Sequence, residues 1–357
     1  MPINETYRTW IQRICELRPK QRKTQVQNFA WLLVGIFHSR SVSLSKVAGK
    51  VISKAKNVST VRRLSRFLAS SAINVRSWYR STAKVWLTSQ FQQIGEIRLI
   101  VDGTKVGFGH QLLMVSLAYR HRAVPIAWSW VRHVRGHSTA AKQIVLLKYV
   151  RSLVSQEMPV FLVGDSEFGS IAVMQQLKQW HWFFALRQKG NTGLWLDERT
   201  DWQRLDSLVQ RSGQSAWCPN ACLTQSDILP VSVLIHWQKG EKEPWCLATN
   251  LPDTALTLRY YRRRMWIEEM FADFKKHGFD LESTMLRNPP RLSCLTLAVA
   301  FLYVWLLSSG SRAIRAGLRH LVDRNDRRDL SLFQIGLRLI ERFLLHSQTF
   351  SLSLCSC

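Results

Sequence analysis

The chain has 357 residues, 46% of them hydrophobic, and 50 Lys and Arg against 24 Asp and Glu, a formal net charge of +26. Such length and apolar content belong to a folded protein with a large core and more than one domain, and such a charge points to a polyanionic partner, nucleic acid or an acidic membrane surface. Residues 1–93 hold 17 of the basic residues and only two acids, Glu5 and Glu16, which excludes carboxylate chemistry between Leu17 and Gly95: that region can only bind.

The first helices are expected in "VQNFAWLLVGIFHS", "LSKVAGKVISKA" and "STVRRLSRFLASS". In the last of these Ser59 is the expected N-cap, and Arg62, Arg63 and Arg66 cluster on about one turn. Together they describe a basic, all-helical domain over residues 1–93, of helix-turn-helix type or a plain basic bundle, with those three arginines as candidate DNA contacts. The seven cysteines show no paired CxxC motifs of zinc spacing, and the N-terminus resembles no secretory signal, so reduced thiols in a cytoplasmic protein are expected.

From residue 97 the period changes to that of strands. "IRLIVDGTKV", "QLLMVSLAYR" and "AVPIAWSWVR" are three consecutive strand candidates, followed by a helix in "TAAKQIVLLKYVRSLVSQ", a strand "PVFLVGD", a helix "SIAVMQQLKQW" and a strand "WFFALRQ". The order β-β-β-α-β-α-β is that of a ribonuclease H-like α/β domain, a mixed sheet with helices on both faces. Next comes a β-rich insertion with turn residues such as "CPNAC" and a hairpin-like pair, "PVSVLIHW" and "PWCLATN", around Gly240. The apolar run "LSCLTLAVAFLYVWLLSS" is close to the length of about 20 residues that spans a bilayer, but its Ser293, Thr296, Ser308 and Ser309, and its position directly after the charged helix, suit a helix buried against the sheet better. The expected divisions are 1–93, 94–190 plus 256–310 for the sheet domain, 191–255 for the insertion, and 311–357 for a helical C-terminal segment.

Asp102 ends the run "RLIV" and Asp165 ends "VFLVG". Carboxylates at strand ends are where a metal site is built, although Asp102 in "VDGT" also suits a hairpin turn and Asp165 a helix cap or a turn. A third acid lies in "YYRRRMWIEEMFADFKK". At about 100° per residue, with Tyr261 at zero, Arg264 falls near about −60°, Glu268 near about −20° and Lys275 near about −40°, so one continuous helix would carry all four on one stripe. Glu167 is the nearest rival acid.

The spacing Y-x2-R-x3-E-x6-K at Tyr261, Arg264, Glu268 and Lys275 resembles the YREK signature of DDE transposases of bacterial insertion sequences, the family of insertion sequence four. "IVDGTKV" resembles that family's first-Asp segment, "FLVGDSEFGS" its second, "FFALRQKGN" the strand leading into the insertion and "CLATNLPD" the return, so the resemblance runs in order over about residues 60–345. It implies that Asp102, Asp165 and Glu268 are the catalytic, metal-binding triad, holding two Mg²⁺ or Mn²⁺ ions per site. Arg264 and Lys275 would hold phosphates of the transposon end, with Tyr261 against the same backbone and Arg187 and Lys189 at a further DNA contact. Trp237 and Trp245 are candidates to hold a flipped base, and His137 of "RGHST" either lines the site or belongs to a plain loop. The implied partners are double-stranded DNA, as terminal inverted repeats and target, and further copies of the chain in a homodimer or larger synaptic complex, with no membrane. The implied activity is Mg-dependent cleavage and strand transfer. Two alternatives share these residues: a ribonuclease H-like nuclease without strand transfer, and a catalytically dead transposase-derived DNA-binding regulator.

Overall fold

The structure is a computed structural model that describes residues 2–107, 109–132, 138–196, 201–224 and 228–355. Five helices come first: α1 (Pro2–Leu17), α2 (Lys23–Ser39), α3 (Leu44–Ala48), α4 (Asn57–Leu68) and α5 (Val75–Ile94). Two sequence expectations shift here. α3 stops at Gly49, far short of the expected run. α4 starts at Asn57 behind Lys56, so Ser59 lies in its first turn and is not its cap. α5 has the cap chemistry that α4 lacks, since the Asn74 side chain accepts from the Ser77 N–H and Gly95, at φ 72°, turns the chain into the sheet.

β1 (Ile97–Val106), β2 (His110–Tyr119) and β3 (Arg122–Arg132) form an antiparallel meander, followed by α6 (Ala140–Arg151), β4 (Val160–Gly164), α7 (Ile171–Gln179) and β5 (Phe183–Gln188). β1, β4 and β5 run parallel, β2 is buried at every position, and the element order is the expected one. The asparagine-free "DG" at Asp102 is therefore mid-strand and makes no hairpin.

The β-rich segment supplies β6 (Gly193–Trp195), β7 (Gln203–Arg204), β8 (Ser215–Leu223), β9 (Leu229–His236) and β10 (Trp245–Thr249). These strands prolong the same sheet instead of forming a second one, because β10 pairs antiparallel with β5, and the ten-strand order is β3-β2-β1-β4-β5-β10-β9-β8-β6-β7. "CPNAC" is not a turn. It lies within β8 as a bulge, with a register shift between Cys218 and Ala221 and Asn220 at φ 52°, which lets both Cys218 and Ala221 bury against β9.

The expected single helix over residues 260–276 is divided. α8 (Thr254–Tyr261) passes into a 3₁₀ turn over Arg262–Met265, then α9 (Trp266–Phe274), and Lys275 is already outside the helix at ψ −126°. A 3₁₀ residue advances by about 120° instead of about 100°, so four of them rotate the two halves by about 80°. Tyr261 consequently turns into the core while Glu268 faces a cleft. α10 (Pro289–Arg315) and α11 (Leu332–Leu345) complete the chain. α10 is the one described helix long and apolar enough to cross a membrane, and 94% of its most apolar window is buried inside the protein. One continuous core joins Trp10 and Phe29 of the first helices to Phe301 and Trp305 of α10 and to the sheet.

α10 and α11 cross at two glycines. A Cβ on Gly310 would stand 1.9 Å from the Leu332 carbonyl oxygen, and one on Gly336 would stand 1.9 Å from that of Leu306. Because backbone atoms cannot yield as side chains do, Gly336→Ala should cost at least about 1–3 kcal/mol. A fall in the urea midpoint at constant m checks this; an unchanged midpoint would refute the close crossing.

Candidate active site where β1 passes the end of β4

Register brings the first two acids together. Val101 of β1 pairs with Gly164, the last residue of β4, on parallel strands about 4.8 Å apart, so Asp102 in β1 and Asp165 just past the end of β4 follow side by side. Glycines make the room. A Cβ on Gly164 would lie 2.8 Å from Val101 Cγ1, and one on Gly103 would lie 2.4 Å from Gln111 Nε2. Asp102 Oδ1 accepts from the Gly103 N–H at 2.7 Å, and Asp165 Oδ1 accepts from the Glu167 N–H at 3.0 Å. Asp165 thus caps the short 3₁₀ turn Ser166–Phe168, whereas Ser170 caps α7.

α9 brings the third acid. Asp102, Asp165 and Glu268 line one open cleft of about 510 Å³, with Arg187, Arg264 and Lys275 around it and the hydroxyl residues Thr104 and Ser166 beside the acids. Arg264 joins two of the three: Nη1 donates to Asp102 Oδ2 at 2.9 Å and Nη2 to Glu268 Oε1 at 2.6 Å. Burial, and then the charge of Asp165, push the Asp102 carboxyl up to about 7 despite the opposing guanidinium. For Arg264 burial works against the charge, but Tyr261, Asp102 and Glu268 outweigh it and hold the guanidinium more firmly protonated.

The other candidates divide. Lys275 Nζ donates to the Lys105 carbonyl at 2.9 Å and pairs with Glu282 at 3.1 Å. Arg187 pairs with Glu243. Lys189 is exposed and lines a neighbouring cavity instead of the acid cleft. Tyr261 does not stand on the open face the stripe implied: it is 3% exposed, packs on Trp245 at 5.2 Å, and its hydroxyl is buried with no hydrogen-bond partner among the described residues. Burial pushes that phenol up to about 12.

Trp237 and Trp245 line a cavity that adjoins the cleft through Arg187 and Arg264. Glu167 binds Gln111 Nε2 and the Ser138 N–H and hydroxyl, so it ties the loop before α6 to the sheet and does not line the cleft. His137 lies outside the described residues. Arg62, Arg63 and Arg66 are remote from the acids on α4. Arg62 and Arg66 are exposed, while Arg63 lies 4.3 Å over the Trp31 ring with Nε on Asn28 Oδ1 at 2.7 Å. Thr104 and Ser166 were not singled out in the sequence; the two-residue period of a strand, which puts Thr104 on the face of Asp102, was the available signal.

Among the described residues no three acidic, His or Cys side chains stand close enough together to hold a metal ion as they are. The donor chemistry nevertheless fits hard divalent cations: carboxylates and hydroxyls line the cleft, and at Asp102 the charge of Asp165 opposes ionisation while the Arg264 guanidinium favours it.

Residues 95–305 match the family model described as the transposase DDE domain, a span from the entry to β1 into α10 that contains all three acids. The chain belongs to the transposase DDE domain family. Members of that family generally use divalent metal ions. A solved structure similar to this transposase is described as "Cryo-EM structure of piggyBac transposase synaptic complex with hairpin DNA"; identity is 13%, coverage 97% of this chain and 77% of that one, and the TM-score 0.41. No curated protein matches the sequence.

The folded protein raises the pKa of Asp102 to about 7, so without divalent ions the cost of its charged form is absent below about pH 4, grows as pH rises and is complete above about pH 7. Asp102→Asn should therefore melt higher than the parent in chelator, by a margin that widens from pH 5 to pH 8. A margin that narrows over that range would contradict the assigned electrostatics.

Proposed function

We propose that this transposase serves a bacterial insertion sequence of the family of insertion sequence four, binding its terminal inverted repeats, cleaving at the ends and joining the freed 3′ ends to target DNA. The observation that carries this reading is one cleft lined by Asp102, Asp165 and Glu268 beside Arg187, Arg264 and Lys275, with the three acids within the span matched by the DDE domain model. The strand order β3-β2-β1-β4-β5 supports treating residues 94–190 and 256–310 as a ribonuclease H-like catalytic core, with 191–255 as its insertion, 311–357 as a helical C-terminal segment and 1–93 as the DNA-binding domain. A homodimer or larger synaptic complex, formed on DNA in the bacterial cytoplasm, completes the proposal.

In this mechanism Asp102, Asp165 and Glu268 would hold the divalent ions, two of Mg²⁺ or Mn²⁺ per site. When bound, such ions activate water or a 3′-hydroxyl as nucleophile and stabilise the leaving oxygen of an in-line displacement. The chain's own residues supply position. The guanidinium fork of Arg264 can grip a phosphate through two parallel bonds, and Arg187 and Lys275 add charge along the same backbone. Each must first exchange a carboxylate partner for phosphate. Arg62 and Arg66, exposed on a helix in an acid-poor region, fit duplex backbone, so binding should weaken steeply with salt.

Glu268→Gln keeps the shape of the side chain and removes its charge. End cleavage should fall by at least about a thousandfold while inverted-repeat binding stays within about threefold of the parent. Equal loss of both in a mobility-shift and cleavage comparison would remove Glu268 from the catalytic set.

A further inference from the structure

We infer that Arg264 is a built-in counter-ion that occupies the carboxylate cleft until a divalent cation arrives, and that cation binding and phosphate capture are coupled through its release. The inference rests on the proposed metal-dependent reading of this cleft. Its basis is the position of one side chain. Arg264 is 13% exposed and spans Asp102 and Glu268, two of the three acids a cation would need, at 2.9 Å and 2.6 Å. The other cations of the cleft are held elsewhere, Arg187 by Glu243 and Lys275 by Glu282, so among the described residues Arg264 is the one seen paired with the triad.

The guanidinium cannot do both jobs at once. With Nη1 engaged by Asp102 and both hydrogens of Nη2 by Glu268 and Met265 Sδ, it has no pair of parallel N–H groups to offer a phosphate, and its charge lies where a cation's would. A second resting place adjoins the first. Arg264 also lines the neighbouring cavity of about 810 Å³ with Arg187, Arg262 and Lys239 against one acid, Glu241, a lining with an excess of cations suited to a phosphodiester. Its location favours movement between the two, because it sits in the short 3₁₀ turn between α8 and α9 and not inside a long helix. A cation that neutralises Asp102 and Glu268 releases the fork, and a phosphate that takes the fork vacates the acids. Each ligand therefore strengthens the binding of the other.

The test is titration of the DNA-free, full-length protein with Mn²⁺ alone, following bound metal by electron paramagnetic resonance, with a melting curve for each variant. Arg264→Ala should bind Mn²⁺ at least about tenfold more tightly than the parent, and Arg264→Lys should fall between them. Arg262→Ala, the same loss of charge in a residue that does not touch the acids, should stay within about twofold. Mn²⁺ should also tighten the parent's hold on a short duplex of arbitrary sequence, and Arg264→Ala should lose that gain. Unchanged or weaker Mn²⁺ binding in Arg264→Ala overturns the inference, as does an equal gain in Arg262→Ala. Failure of the underlying metal reading gives a different result: Asp102→Asn and Glu268→Gln would bind Mn²⁺ as the parent does.

Discussion

Two carboxylates side by side, one within β1 and one just past the end of its parallel neighbour β4, in a place where burial already disfavours charge, are the constraint on which the site depends. Asp102 and Asp165 follow the paired residues Val101 and Gly164, so their proximity is fixed by the sheet and not by side-chain choice. Such an arrangement is unfavourable by itself, as the raised Asp102 carboxyl records. What holds it is the rigidity around it: β2, buried along its whole length, braces β1 on one side, and β4 is braced by β5 on the other. A cleft that stays strained without a cation is one that favours taking a cation.

The third acid is mounted differently. Glu268 sits on α9, with a side chain 48% exposed against 10% for Asp102. α9 is joined to α8 by the 3₁₀ turn, so it is the more adjustable wall of the cleft. Two fixed donors and one movable one allow the site to close on its ligands without disturbing the sheet. The same turn brings Tyr261 and Arg264 onto one side, close enough to influence one another electrostatically, with the phenol buried and not a surface contact.

The sheet was legible because its strands are dense apolar runs ending in turn residues, and the acids were legible because they terminate two of those runs. The spacing of Arg264, Glu268 and Lys275 was legible as a motif, but its geometry was not. Nothing in "RRRM" signals a 3₁₀ turn, since arginine and methionine are good helix formers; burial of Tyr260 and Tyr261 on one side and of Ile267, Met270 and Phe271 on the other sets the break. The joining of β10 to β5 was hidden for another reason, because pairing across some sixty residues leaves no local trace. Asn220 concealed the β8 bulge, as its left-handed backbone has the residue signature of a turn.

The positive charge does two kinds of work. Near the acids the cations are held: Arg187 by Glu243, Lys275 by Glu282 and Arg264 by two members of the triad. In residues 1–93 there are 17 basic residues and two acids, so internal pairing cannot hold most of them. On the proposed reading, the helical domain attracts the duplex at long range and gives up its hold readily to salt. The cleft engages afterwards, by exchange, since every phosphate it gains displaces a carboxylate. A cleft of that kind discriminates by what it must give up as well as by what it binds: a polyanion that reaches the helical domain without bringing phosphate and cation together to the triad leaves Arg264 where it is.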